Sequence, residues 1–399
     1  MTPIFIDSFT ATTCVGAGNE SLFKAIKTGQ TGLTRCDFDK AELDTWIGRV
    51  LALDEPAFSL PDSLIEFNCR NNQLAWLAIQ QDRFLERALT VIRENGPSRV
   101  GLFLGTSTSG IYETELAFRS LDPESKSFMG SFNYSGSHSV SSLVTFVREL
   151  LKIGGPSFLI STACSSSAKV FATAQRYLEL GLIDAAVVGG TDSLCLTTLY
   201  GFNSLQLASA KPCRPYDTLR DGISIGEAAA FCLLTKVPTN HSEYGIEFIG
   251  YGESSDAYHM SSPHPEGLGA QIAMNAALGS AGLSPMEIDY INLHGTATPN
   301  NDKAEGRAVS TIFGDQTPCS STKGITGHTL GAAGAVEAVI SFIALQNQLM
   351  PGSPGTDQLD PTINLNYQVN PSHAPLKTVL TNSFGFGGSN CSLAFRASK

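Results

Sequence analysis

The chain has 399 residues, a formal net charge of −11, 42% hydrophobic residues and 16% charged ones. At about 150 residues per domain, that length gives roughly two to three domain-sized units. The acidic balance excludes a general nucleic-acid binder, which needs a basic footprint, and the hydrophobic content excludes a disordered or fibrous chain. So few charges imply that some uncharged surface is hidden in an oligomer.

The first nine residues hold an apolar run of only three and no basic start, so no signal peptide is expected. A helical pattern covers Asn71–Asn95, with apolar residues at three- and four-residue spacing. Short apolar runs follow at Val100–Gly105, Ser157–Thr162, Asp184–Gly189, Ala229–Leu234, Ile288–His294 and Leu376–Thr381. Runs of this kind predict strands in a sheet covered on both faces. Helical spacing returns at Ser165–Leu180, Gly267–Gly282, Asn301–Phe313 and Gly331–Gln348. The alternation is that of an α/β protein.

A strand, a small-residue turn and a helix occur twice, at Ser157–Ala174 and at Ile288–Gly306. Between them, the polar Lys236–Tyr244 reads as a joint. The expected division is into two α/β halves, 1–240 and 241–399. Thr106–Gly154, rich in Ser, Gly and Phe, reads as an insertion over the core. No run approaches the roughly 18 apolar residues of a membrane span. Nine cysteines, an odd number without metal spacing, indicate free thiols in a reducing cytoplasm.

Four positions carry chemistry. Cys164 follows an apolar strand and opens a helix, where unpaired N–H groups and the helix dipole favour thiolate; the competing reading is a buried small hydrophobe. His294 and His328 are each followed by small residues, so each ring can face a cavity. The other histidines, His138, His241, His259, His264 and His373, lie in polar or Pro-rich surroundings and are background. Lys323 is in reach of pairing with Glu305 or Asp302, or is an ordinary surface lysine. Asn382–Asn390 is a glycine-rich turn without the Walker lysine, and its alternating Phe384 and Phe386 suit an apolar wall.

Four segments occur in a fixed order: TACSSS at 162–167, HGTATPNND at 294–302, KGITGHTLGAAG at 323–334 and NSFGFGGSN at 382–390. With these, the chain resembles the condensing enzymes of the thiolase fold, specifically elongating β-ketoacyl-acyl-carrier-protein synthases, from about Ile4 to Phe395. The resemblance implies two similar α/β halves in five α-β-α-β-α layers. It implies Cys164 as acyl-accepting nucleophile, His294 and His328 in malonyl decarboxylation, Lys323 as active-site lysine, and Glu305 with Asp302 as acidic support. The N–H groups of Cys164 and Phe386 match the oxyanion hole. Thr296 and Thr298 match threonines that bond the pantetheine arm, and Phe202 and Phe384 match aromatic residues near the acyl channel. Thr108 falls where many relatives carry an apolar acyl-pocket residue. Asn292, Glu337, Thr381 and Asn382 resemble a monovalent-cation site of some relatives; no metal is otherwise required.

The implied reaction is ping-pong decarboxylative condensation of malonyl-carrier with a Cys-bound acyl chain, giving a β-ketoacyl chain two carbons longer. No cofactor is implied, because the phosphopantetheine arm of the acyl carrier protein carries the substrates. Arg70–Leu74, Gly105–Ile111 and Gly252–Tyr258 further resemble ketosynthases of aryl-polyene pathways, which pair with a chain-length-factor-like partner. The partners expected are therefore the carrier and either a second copy or a homologous subunit, across an edge strand near Ser157–Thr162. Lys211, Arg214, Arg220 and Arg70 are the candidate carrier-docking patch. Two alternatives stay open: a non-decarboxylative thiolase, and one subunit of a heterodimer inactive alone. A thiolase needs a second cysteine in a late Cys-Gly loop, where this chain has Phe386, with Cys391 beyond.

Overall fold

Strands without polar alternation are stable only when both faces are covered, and the chain meets that demand with two sheets around a shared helical layer. The computed structural model describes residues 1–55, 58–125, 127–128, 132–239 and 245–398. The first half holds β1 (Ile4–Thr13), β2 (Val100–Gly105), β3 (Ser157–Ile160), β4 (Ala185–Asp192) and β5 (Ala228–Thr235), laid side by side as β1-β5-β4-β2-β3. The second holds β6 (Ile246–Ser255), β7 (Tyr290–Asn292), β8 (Pro318–Ser320), β9 (Thr378–Gly385) and β10 (Ser389–Ala397), laid as β6-β10-β9-β7-β8. The order is the same in each: first strand, fifth, fourth, second, third. The pairings also repeat, two antiparallel and then two parallel. A short ladder, Ile4 opposite Phe248 and Phe5 opposite Glu247, joins the halves.

Helices fill three further layers: α1 (Asn19–Thr28), α2 (Arg70–Ile79), α3 (Phe84–Asn95), α4 (Ile111–Arg119), α5 (Ser142–Leu151), α6 (Ser166–Glu179), α7 (Leu196–Ser204), α8 (Leu268–Ala281), α9 (Pro299–Phe313), α10 (Lys323–Thr326) and α11 (Ala333–Asn347). In the middle, α6 and α11 pack on each other, with Phe171, Val336 and Phe342 against Ile6, Val188, Phe248 and Phe395. They approach closely at Gly334, where a Cβ would lie 2.5 Å from the Ala168 nitrogen. Outside the first sheet, Leu74, Phe84 and Phe146 cover Leu102, Leu104 and Phe231. Outside the second, Met274 and Val309 cover Ile291 and Leu380. Along β2 the pleat sends Phe103 to the middle and Leu102 and Leu104 outward. The result is the five-layer arrangement.

Leu330–Asn347, with mean hydropathy 1.4, is the one described helix long and apolar enough to cross a membrane, and 89% of it is buried. A helix apolar all round is buried between other elements, and here two sheets sandwich it.

The structure departs from the sequence reading in four places. Asn71–Asn95 is two helices, broken where Asp82 and Arg83 take φ of 53° and 56°; Asp82 accepts hydrogen bonds from Thr10 and the Asn19 N–H, which holds the break. β1, β6 and β10 carry polar residues within buried strands and have no apolar run longer than three residues; Asp7 of β1, for instance, is buried against Arg87. Within the Thr106–Gly154 segment, α5 belongs to the core, with Leu143, Phe146, Val147 and Leu151 wholly buried in it, whereas α4 has no buried residue. The duplicated unit also differs in register. The counterpart of β3 is β8, and β7 corresponds to β2, so the matched segments were not equivalent. Periodicity carries no strand order, which is why the misalignment arose. Parts of two expected features, residues 126 and 129–131 of that segment and 240–244 of the joint, lie outside the described residues.

β3 is the outer strand of its sheet, and Phe158 upon it is 46% exposed, stacked on Phe103. Replacing Phe342, fully buried with ring centroids 5.1 Å from Phe9 and 4.8 Å from Phe395, should be severe. Phe342→Ala is expected to lower unfolding stability by about 3–5 kcal/mol, read as a fall in the denaturant midpoint.

Candidate active site

The repeated topology decides which loops meet. Cys164 follows the third strand of the first half and His328 the third of the second, while His294 lies two residues past the second strand of its half. Cys164 sits in a tight turn between β3 and α6, where Ala163 takes a φ of 52°. Ser166 stabilises the turn by accepting from the Thr162 N–H at 2.9 Å and donating to the Ala163 carbonyl at 2.6 Å. The backbone of His328 is bonded on both sides to the first half, through the Ser224 carbonyl at 2.7 Å and the Gly226 N–H at 3.0 Å.

These anchors put His328 Nε2 3.1 Å from Cys164 Sγ. The His294 and His328 rings stand edge to face with centroids 5.2 Å apart. The reactive atoms of Cys164, His294 and His328 all lie within 4.8 Å of one another. They face a cavity of about 290 Å³ whose walls include Phe202, Phe384, Phe386, Thr296 and Thr298. The two threonine hydroxyls are 2.9 Å apart, and Phe202 and Phe386 are in ring contact at 5.5 Å. Asp256 also lines this cavity, accepting from Asn390 at 2.9 Å while its N–H donates to the Gly388 carbonyl at 2.9 Å. Sequence reasoning missed Asp256; its only signal was its place in the Gly252–Tyr258 segment.

Lys323 is 2% exposed, not a surface residue. Its Nζ donates to the His294 carbonyl, lies 3.4 Å from His294 Nδ1 and pairs with Glu337 of α11. The expected partners are occupied elsewhere. Glu305 accepts from the His294 and Gly295 N–H groups at 2.8 Å each, and from Tyr216 and Asn382. Asp302 accepts from the Tyr216 N–H at 2.8 Å and faces Arg220 at 3.6 Å. Both carboxylates hold the loop around His294, so Lys323 reaches the central helix instead.

Burial dominates the electrostatics. It pushes both imidazoles well below their ordinary range, aided by the Lys323 charge, so both rings are neutral at neutral pH. Burial also drives the Cys164 thiol up to about 11, against the opposing pull of the Phe386 N–H and Lys323. Burial thus opposes the thiolate that a helix N-terminus favours. Glu337 rises to about 7 by burial, opposed by Lys323.

Three further expectations change. Thr108 does not line the cavity: it is 1% exposed and its hydroxyl donates to Asp192 at 2.9 Å. Arg70 is buried against Glu227 and Asp54, and Arg220 against Asp360 and Asp302, so neither belongs to a docking patch. Lys211 remains exposed, and Arg214 is partly buried near Asp221. At the cation position, Asn292 Oδ1 and Thr381 Oγ1 are buried with no hydrogen-bond partner among the described residues. Such oxygens suit a hard cation, whereas Glu337 and Asn382 are engaged by Lys323 and Glu305.

Residues 1–240 match the family profile for the β-ketoacyl synthase N-terminal domain, and residues 246–357 match that for its C-terminal domain. The 3-oxoacyl-acyl-carrier-protein synthase 2 of Coxiella burnetii is 32% identical, with 93% of each chain covered. The synthase of the same name from Vibrio cholerae is 31% identical, with 96% of each covered. Among solved structures, the ketosynthase ApeO of Xenorhabdus doucetiae, in complex with its chain length factor ApeC, superposes with a TM-score of 0.90 at 37% identity, over 99% of this chain and 98% of that one. The thiol held against one imidazole beside a second, the repeated sheet that brings them together, and these likenesses have one explanation: the chain belongs to the β-ketoacyl synthase family.

Proposed function

We propose that this protein is a β-ketoacyl-acyl-carrier-protein synthase that elongates a carrier-bound acyl chain by decarboxylative condensation. The 3.1 Å contact between Cys164 Sγ and His328 Nε2, with His294 facing the same cavity, carries this reading. In the first half-reaction the Cys164 sulfur attacks the acyl thioester carbon. His328 takes the thiol proton and returns it to the departing carrier thiolate. A neutral imidazole suits this task, since its ring nitrogen has a free lone pair, and a resting thiol loses nothing when the base is in contact. The N–H groups of Cys164 and Phe386 hold the tetrahedral oxyanion.

In the second half-reaction, malonyl-carrier loses CO₂ and leaves an enolate. Lys323 faces His294 Nδ1, which puts the ring proton on Nε2. That N–H then donates to the enolate oxygen, and His328 flanks the same oxygen. The enolate carbon attacks the acyl-enzyme, a C–C bond forms, and the Cys164 sulfur leaves as thiolate and takes a proton from solvent to restore the resting thiol. The released CO₂ drives the step without a redox or metal cofactor. Thr296 and Thr298, at the cavity wall, bond the pantetheine arm. Asn292 and Thr381 would hold a structural monovalent cation behind the site.

The partner proposed across β3 is a homologous subunit: the strand is an outer edge carrying an exposed phenylalanine, and such edges need covering. The likeness to a ketosynthase solved with its chain length factor supports a heterodimer, and the aryl-polyene substrate rests on the Arg70–Leu74, Gly105–Ile111 and Gly252–Tyr258 segments. A thiolase reading is disfavoured because Cys391 is wholly buried within β10.

Offered malonyl-carrier with octanoyl- or aryl-polyenoyl-carrier, the purified chain, alone or once its homologous partner subunit is added, should extend the aryl substrate by two carbons, read by intact mass. Extension of the octanoyl substrate alone would assign a fatty-acid role instead. Cys164→Ala should abolish both acyl capture and elongation, and normal elongation by that variant would remove the nucleophile. His294→Ala and His328→Ala should each slow malonyl decarboxylation by about 10²–10³-fold, measured as CO₂ release. Because the raised thiol is protonated at neutral pH, the rate of Cys164 alkylation in the unacylated protein should climb as pH rises toward about 11. A plateau already reached at pH 7 would contradict this.

A further inference from the structure

The chemistry above leaves one buried carboxylate unused. Asp192 closes β4 and is 0% exposed. Its Oδ1 accepts from the Thr106 hydroxyl at 2.7 Å, the Ser107 N–H at 2.7 Å, the Thr108 N–H at 2.8 Å and the Thr108 hydroxyl at 2.9 Å. Its Oδ2 accepts from the Gly331 N–H. Residues 106–108 leave the end of β2, and the Ser107 hydroxyl donates to the Ala163 carbonyl at 3.4 Å. Ala163 is the positive-φ residue that sets the turn before Cys164. Gly331 lies three residues after His328, beside Leu330 at a φ of 51°. One carboxylate thus ties the turn beneath the sulfur to the loop that carries the imidazole, and the two loops come from opposite halves.

Only an acceptor on every side satisfies these donors, and among side chains that is an ionised carboxylate. The charge works against the thiolate, since the field of Asp192 raises the Cys164 pKa. A buried charge that opposes the reactive form is retained for its geometry. The cradle is also tight: a Cβ at Gly331 would lie 2.6 Å from Ser107 Oγ and 2.7 Å from Asp192 Oδ2.

We propose that Asp192 is a positioning residue for the condensation, its carboxylate setting the distance between the Cys164 sulfur and His328 by clamping the 106–108 loop to Gly331. This rests on the reading of Cys164 as nucleophile. Thr108 serves the same clamp: its hydroxyl donates to Asp192 and accepts from the Ser193 N–H at 3.1 Å.

Two variants separate geometry from charge. Asp192→Asn keeps one oxygen for the Ser107 and Thr108 N–H groups but turns an NH₂ toward the Gly331 N–H, donor against donor. Gly331→Ala keeps the charge and forces the same junction apart. Each should lower the kcat of elongation by about 100-fold, the effect of an ångström-scale misplacement, with KM for acyl-carrier unchanged. The pH profile of Cys164 alkylation by iodoacetamide, read by intact mass, should move to lower pH in Asp192→Asn alone, where the opposing charge is gone. A native kcat in either folded variant overturns the proposal. If Asp192→Asn does not fold, Gly331→Ala decides by itself. The alkylation profile reads the charge of Asp192 alone; where the native chain elongates neither acyl-carrier, the rate of acyl capture by Cys164, read by intact mass, takes the place of kcat as the test of the clamp.

Discussion

A lysine ammonium in the dry middle of a protein is costly unless a carboxylate and further acceptors face it. Lys323 meets that condition against Glu337 and the His294 carbonyl, and much of the site follows from the arrangement. Glu337 sits on the apolar central helix, so the ammonium is held at the layer where the two sheets meet. His294 is then oriented from its Nδ1 side, leaving Nε2 for the cavity. Glu305 and Asp302 are freed to bond the backbone of the loop after His294, instead of neutralising the lysine. A lysine paired with either of them would have left Glu337 as an isolated buried charge.

The repeated strand order explains why the site lies where it does. In each half, the loops after the second and third strands emerge at the same end of the sheet. Facing the halves across α6 and α11 brings four such loops together: one carries Cys164, one His328, one His294, and one the Thr106–Thr108 segment bound to Asp192. The first half therefore contributes the Cys164 thiol and the Asp192 carboxylate, and the second contributes two imidazoles and a lysine. The repeated strand order supplies two equivalent frames that carry different side chains.

Burial sets the chemistry of this end of the fold. It keeps both imidazoles neutral and the resting thiol protonated. A charged imidazole would be a poor base, and a resting thiolate in a dry pocket would be costly. The preformed thiol–imidazole contact avoids both, and it faces a cavity walled in part by Phe202, Phe384 and Phe386.

The amino-acid sequence by itself determined the α/β class, most of the central strands and helices, and the four motifs that hold Cys164, His294, Lys323, His328 and Phe386. These are local properties, written in apolar spacing and in short runs of small residues. Tertiary structure alone decided the rest. β1, β6 and β10 went unseen because their polar residues find partners far along the chain, as Asp7 does in Arg87. Lys323 chose Glu337, fourteen residues on and one layer inward, over carboxylates closer in the reading. Arg70 and Arg220 looked like surface charges and are buried ion pairs. Asp192 carried no motif, because its role lies in donors gathered from residues 106 to 108 and from 331. Charge partners and strand order are long-range choices among many similar residues, settled only when burial makes every unpaired polar group costly.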